Sequence, residues 1–300
     1  MTVWTPAEVA DFGRRLWKKA TEDEVLFLAS GVAFDILLAG VPFFLLLASA
    51  LAYAFGTSAT DANGAVAGFL RDLFPASAGG EGSVFDPAVR DVVRTRGAAG
   101  LFGAVAFVWF STRLFGSLRL VFNRVFDVPT SRHVLIGKLF DVGLTLASTV
   151  LVAAWVAVSA YIALARTRGA ELLSRAGLPS DVILQPLTYI TGRTVSFALL
   201  VAIFFALYKL LPNRKVRRQQ ALLGAVVSAA LFEAARIAFA WVLHRYDPAT
   251  LYTGTLAAVI LVVFWVYYAA LIMIVGAAAS QVWESMRHAQ ITPTHMPRTR

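Results

Sequence analysis

Glu233 and Arg236 stand three residues apart in a run from 221 to 243 that carries no other charge. At helical pitch this spacing makes them neighbours on one face, with the acid on the N-terminal side. A charged group in such a run is costly, so each needs a partner or a water-lined cavity. Two readings stand. The pair either permits insertion and fixes helix packing, or forms a buried site in which Arg236 binds an anionic group and Glu233 positions it or relays a proton. Asp35 is the second candidate, alone among apolar residues between Val25 and Phe55 and seven residues before Pro42. Proline removes an amide from the helical ladder, so Pro42 is expected to kink or break this helix, as in transporter substrate sites. Asp35 could pair with Arg236 or with Arg113, and the candidate substrate site therefore comprises Glu233, Arg236, Arg113 and Asp35.

Other chemistry finds little footing. There is no cysteine, which removes disulfides, thiolate metal sites and thiol catalysis. His133, His244, His288 and His295 are scattered, with no metal-ligand spacing among them. No phosphate-binding loop, dinucleotide fingerprint or nucleophile elbow occurs, and Asp72, Asp86 and Asp91 match no catalytic spacing. No catalytic residue, metal or cofactor is assigned, and an enzyme is not the expected reading.

The elements that must carry these residues are set by hydropathy. Apolar residues make up 58% of the 300 positions and charged residues 15%, against about 45–50% and about 25% in soluble domains. The apolar excess lies in long runs, which makes lipid the expected solvent. The expected fold is all-α: a polytopic membrane protein with about six transmembrane helices and amphipathic interfacial helices. The spans fall at about 25–55, 97–121, 138–165, 190–211, 221–243 and 252–279, within a membrane domain of residues 25–285. The second stays uncharged only to Thr112, and its helix is expected to continue through Arg113 toward Asn123 and Arg124. The first exceeds the 7–15 apolar residues typical of a signal peptide and reads as an uncleaved span.

Residues 1–24 are expected to form a basic amphipathic helix, either lying in the membrane interface or solvated as a leader helix. Thr5-Pro6-Ala7-Glu8 reads as a capping box with proline at the first helical position. Val9, Phe12 and Leu16 share a face, and Trp4 and Trp17 suit headgroup depth. In the connection 56–97, Val66, Phe69, Leu70, Leu73 and Phe74 suggest a further amphipathic helix. Residues 286–300 read as a disordered cytoplasmic tail. Small residues, Gly224, Ala225, Ser228 and Ala229, then Gly276 to Ser280, would let helix backbones approach closely.

Net charge is +9. Sorting Lys and Arg by connection puts 17 on the side of both termini and 9 on the other, with Arg236 inside a span. By the positive-inside rule both termini are cytoplasmic. The same charge favours anionic lipid headgroups as partners. Nucleic acid is not an expected partner, because no segment is polar and long enough to fold as a basic domain.

Several motifs occur in an order that resembles the YihY/virulence factor BrkB family of bacterial inner-membrane proteins. They are Leu28-Ala29-Ser30-Gly31-Val32-Ala33-Phe34 with Val41-Pro42, Trp109 to Arg113, and Phe122-Asn123-Arg124-Val125-Phe126. Tyr208-Lys209-Leu210-Leu211-Pro212-Asn213-Arg214-Lys215-Val216 follows, then Gly224-Ala225, Glu233-Ala234-Ala235-Arg236, Tyr252 to Ala258, Trp265 and Gly276-Ala277. The resemblance covers residues 25–285 and implies a six-helix protein of the bacterial inner (plasma) membrane. Where Asp35 stands, family members more often carry an aromatic, which makes Asp35 the weaker shared candidate. Some members bear the label ribonuclease BN. Phosphodiester hydrolysis usually needs clustered carboxylates or histidines to hold metal ions, and the sequence clusters none. The function expected is a secondary or facilitative transporter, or a lipid-handling protein, acting on a small molecule or lipid at Glu233 and Arg236. The alternative is a structural or scaffolding membrane protein without transport.

Overall fold

The computed structural model describes residues 5–54, 98–128, 143, 180–245 and 254–291. They form six helices: α1 (Pro6–Glu22), α2 (Val25–Ala54), α3 (Ala98–Val125), α4 (Ser180–Leu210), α5 (Arg218–Arg245) and α6 (Gly254–Ile291). No strand occurs among the described residues. Four segments are long and apolar enough to cross a bilayer, Val105–Val125, Arg193–Leu210, Arg218–Val242 and Val259–Arg287. The apolar segment Val25–Gly40 opens α2, whose full 30 residues extend for about 45 Å. The all-α membrane fold read from the sequence is the one observed. The expected span 138–165 and the amphipathic pattern in 56–97 lie outside the described residues, Gly143 excepted.

α6 is the hub. It packs on α1, α2, α3 and α5; α2 also packs on α3, and α4 on α5. The α5–α6 seam is built from small residues, with Ala221, Ala225, Ala229, Ala277, Ala278 and Ser280 all fully buried. Lipid tails are as apolar as leucine, so close van der Waals packing holds these helices together. Two glycines set that closeness. A Cβ on Gly224 would meet Ser280 Cβ at 2.9 Å and the Gly276 carbonyl at 3.0 Å. One on Gly276 would overlap Ser228 Oγ and press on Tyr208 Oη at 3.0 Å. Tyr208 is itself fully buried, its hydroxyl donating to the Met273 carbonyl at 2.6 Å and lying 2.6 Å from Ser228 Oγ.

Two expectations need correction. α2 runs through Pro42 as one helix, so it does not break there. Proline withholds only the amide that would reach the Leu38 carbonyl, and α2 continues past it for twelve residues to Ala54. α4 begins at Ser180, and its membrane-long apolar segment, Arg193–Leu210, falls where the span 190–211 was expected. α6 continues to Ile291, so the expected tail from 286 is helical for its first six residues. Its last turns are held by side chains: Glu284 pairs with Arg217 at 3.1 Å, and Arg287 donates to Gln219 at 2.7 Å. The remainder of the tail lies outside the described residues.

α1 opens with the anticipated capping box. The Thr5 hydroxyl accepts from the Glu8 amide, and the Glu8 carboxylate accepts from the Thr5 amide at 2.8 Å. Leu16 and Ala20 pack on the core, while Trp17 is 78% exposed. The apolar arc of α1 is thus divided between protein and surroundings, as suits a helix lying in the membrane interface.

Candidate functional site

Glu233 lies about 22 Å along α5 from Arg218, at 1.5 Å per residue, inside the candidate span Arg218–Val242. Arg236, one turn further on, places Nη2 3.1 Å from Glu233 Oε2. A second guanidinium comes from α4: Arg193 Nη2 lies 3.8 Å from the same oxygen. Both approach a buried atom that has no aligned hydrogen bond. The Glu233 side chain is 16% exposed, that of Arg236 27% and that of Arg193 44%. Two guanidiniums from two helices therefore converge on one carboxylate within the apolar layer. Arginine forks match carboxylate and phosphate oxygens in pairs, so such a group can hold an anion by charge and geometry together.

Asp35 and Arg113 pair with each other, across the α2–α3 seam. Arg113 Nε donates to Asp35 Oδ1 at 2.8 Å, and the Ser117 hydroxyl donates to Asp35 Oδ2. Asp35 is buried, whereas the Arg113 side chain is 56% exposed. Of the two partners the sequence offered Asp35, Arg113 is the one it takes. The four predicted site residues thus form two groups, one across α2 and α3 and one on α5, and α2, α3 and α5 each pack on α6.

A third polar group closes one end of the bundle, here the linker end because the α4–α5 linker (211–217) folds into it. The Asn213 amide donates to Asn123 Oδ1 at 2.9 Å, and Lys209 donates to the Val216 carbonyl. Arg214 donates to Gln281 at 2.7 Å and lies over the Phe126 ring at 5.2 Å. Gln220 and Asp127 bond the same Gln281 side chain. Asp127 also accepts from Lys19, which pairs with Asp23 at 3.1 Å. Burial pushes the Arg214 guanidinium below its ordinary range, against the pull of Asp127 and Glu284. Burial also acts to lower Lys19, but Asp127 and Asp23 outweigh it and hold its ammonium above the usual lysine value.

Sequence spacing does not reveal Arg193, which lies forty residues from Glu233 and counts there as part of a connection. Ser117 is equally silent. The linker-end network had one signal, the Tyr208–Val216 motif, which the sequence offers only as part of the family resemblance. Among the described residues no group of three or more His, Cys, Asp or Glu could hold a metal ion.

The profile of the virulence factor BrkB family matches residues 16–299. The chain belongs to the virulence factor BrkB family. Relatives agree with this assignment. A UPF0761 membrane protein of Vibrio atlanticus is 29% identical over 268 residues, 89% of this chain and 80% of that protein. One from Vibrio vulnificus is 26% identical over 278 residues, covering 92% of this chain and 83% of its own length. A third, from Alkalilimnicola ehrlichii, is 28% identical over 217 residues, 72% of this chain and 45% of the relative. No solved structure matches. The motif resemblance is therefore a family membership, and this BrkB-family chain is an integral membrane protein like the relatives so named.

Proposed function

We propose that the protein is a facilitative or secondary transporter, or a lipid-handling protein, of the bacterial inner membrane that binds an anionic group at Arg193, Glu233 and Arg236. The observation that carries this is the convergence of two guanidiniums on one carboxylate within the membrane layer. An isolated i, i+3 ion pair would suffice to insert α5, and the approach of Arg193 from α4 goes beyond that need. In a low-dielectric setting each of these charges acts strongly, and an incoming phosphate or carboxylate could bridge the two arginines. Glu233 then restrains the two arginines. In this reading the linker end faces the cytoplasm, as the excess of Lys and Arg on the side of the termini predicts, and anionic headgroups are its partners.

The test is retention of co-purifying molecules. Wild type and Arg236→Ala are purified into lipid nanodiscs, checked for equal helicity and monodispersity, and assayed by mass spectrometry for bound lipids and small anions. The expected result is an anionic species enriched over bulk lipid in wild type and depleted in the folded variant. Bulk-like contents in both would overturn the binding site and leave Glu233 and Arg236 as packing residues.

A further inference from the structure

Arg113 is more exposed than Arg193, Arg236 or Glu233. It lies twelve residues before the end of α3, or about 18 Å from the linker end at helical rise, inside the candidate span Val105–Val125. A guanidinium at that depth usually faces a bundle interior or a water-filled cavity. Here the carboxylate of Asp35 is buried, and it engages the guanidinium only through Nε. Among the described residues, neither terminal nitrogen makes a hydrogen bond. Ser117 donates to the other Asp35 oxygen, so the acid is fixed and in turn fixes the arginine fork.

The surroundings of that fork are apolar and open. The Phe34 ring lies under the guanidinium at 5.9 Å. Phe34 and Trp109 are both exposed. Gly31 and Gly116 each have open space where a Cβ would stand. The seam thus combines a preorganised cation with flanking aromatic surface and room between them. At the linker end of the same seam, Arg124 pairs with Glu24 at 3.1 Å. Eleven residues separate Arg113 from Arg124, which returns the helix to nearly the same face. Charged pairs therefore stand at two depths along one outward face of α2 and α3.

We infer that the α2–α3 seam is a lateral docking site for the phosphate of a membrane lipid, gripped by the free edge of Arg113 while the acyl chains lie along Phe34 and Trp109. A soluble anion would gain nothing from the exposed aromatics, and an apolar helix would leave the fork unmatched. A lipid matches both. The Glu24–Arg124 pair marks where such a headgroup would enter from the interface. The inference rests on the lipid-handling reading above for the class of ligand and adds a second place for it, one that does not involve Glu233.

The experiment uses the full chain in nanodiscs of a neutral, phosphate-free glycolipid doped with phosphatidylglycerol or with diacylglycerol. Native mass spectrometry reads the retained lipid. Arg113→Lys keeps the charge beside Asp35 but loses the fork, and it should lower phosphatidylglycerol retention by about tenfold, the scale of a charge-assisted bidentate contact. The double variant Asp35→Asn with Arg113→Gln removes both charges together, which protects folding, and should do the same. The loss in Arg113→Lys should persist in an Arg236→Gln background, and that arm separates failure here from failure of the Glu233 site. Full retention in either folded Arg113 variant would overturn the inference. So would equal retention of diacylglycerol, displacement by glycerol phosphate, or a cross-link between two copies of a Trp109→Cys variant.

Discussion

The tightest constraint on any single residue falls on Gly276. Its missing side chain admits Ser228 and the Tyr208 hydroxyl between α5 and α6. Gly276→Ala should therefore destabilise the bundle by at least the ~1–3 kcal/mol typical of overpacking, read as a lower thermal midpoint in detergent. Ser228→Ala removes the hydroxyl that the new methyl would strike, so the double variant should regain part of the loss. No rescue would mean that the backbone itself has moved. Tyr208→Phe tests the same knot from the other side. It strips the hydroxyl from Ser228 and from the Met273 carbonyl and should cost ~1–2 kcal/mol as a lost buried hydrogen bond. Part of this was legible in the sequence, because small residues at Gly224–Ala229 and Gly276–Ser280 announce close backbones. Tyr208 was not, since nothing local shows which carbonyl 65 residues away its hydroxyl will meet. The same limit hides Arg193, whereas the i, i+3 pair of Glu233 and Arg236 is fixed by helical geometry alone.

At the scale of elements, two helix ends share an uncommon device. The residues following the α1 and α3 caps, Glu24 and Asp127, adopt left-handed backbone with φ 55 and 54, a position that glycine usually fills. At α3 the closure is a Schellman motif, with the Val128 amide donating to the Asn123 carbonyl at 2.8 Å and the Asp127 amide to Arg124 at 3.1 Å. The side chain that makes this costly is the one that binds Lys19 and Gln281. Asp127→Gly should relieve ~1 kcal/mol of backbone strain in α3 and yet loosen α1, seen as faster amide exchange in residues 6–22. If exchange in α1 does not change, the Asp127 bridge does not hold that helix. The pH dependence follows from Lys19, whose folded pKa is raised. The contribution of its charge is complete below the unfolded value of about 10.5 and is lost as pH rises through the higher folded value. Protection of α1 should thus decline only in strong alkali, and Lys19→Met should remove that decline. The capping box was readable because it is a four-residue pattern. The docking of α1 on α6 was not, because it depends on partners more than 100 residues away.

For the whole molecule, the linker-end network fixes which parts of the chain share a face. Lys19 of α1, Asp127 after α3, Arg214 of the linker and Gln281 of α6 are joined by direct hydrogen bonds. The helix nearest the N-terminus, the α4–α5 linker and the end of α6 must therefore lie on one side of the membrane, whatever the number of crossings elsewhere. Charge then chooses the side. Counted together, the N-terminal segment, the connection from Arg113 to Lys138, the stretch from Lys209 to Arg218 and the tail hold 17 of the 27 Lys and Arg residues, and by the positive-inside rule the expected side is the cytoplasm. The chain has no cysteine, so single cysteines can report orientation without background. Lys215→Cys in the linker and Arg14→Cys on α1 replace exposed side chains and should leave the fold unchanged. A membrane-impermeant maleimide should label both in inverted vesicles and neither in intact spheroplasts. Labelling of both from outside would reverse the orientation and move the basic linker end away from the anionic cytoplasmic surface. Labelling of one from each side would break the network itself, because Lys19 and Arg214 could no longer reach Asp127 and Gln281 together.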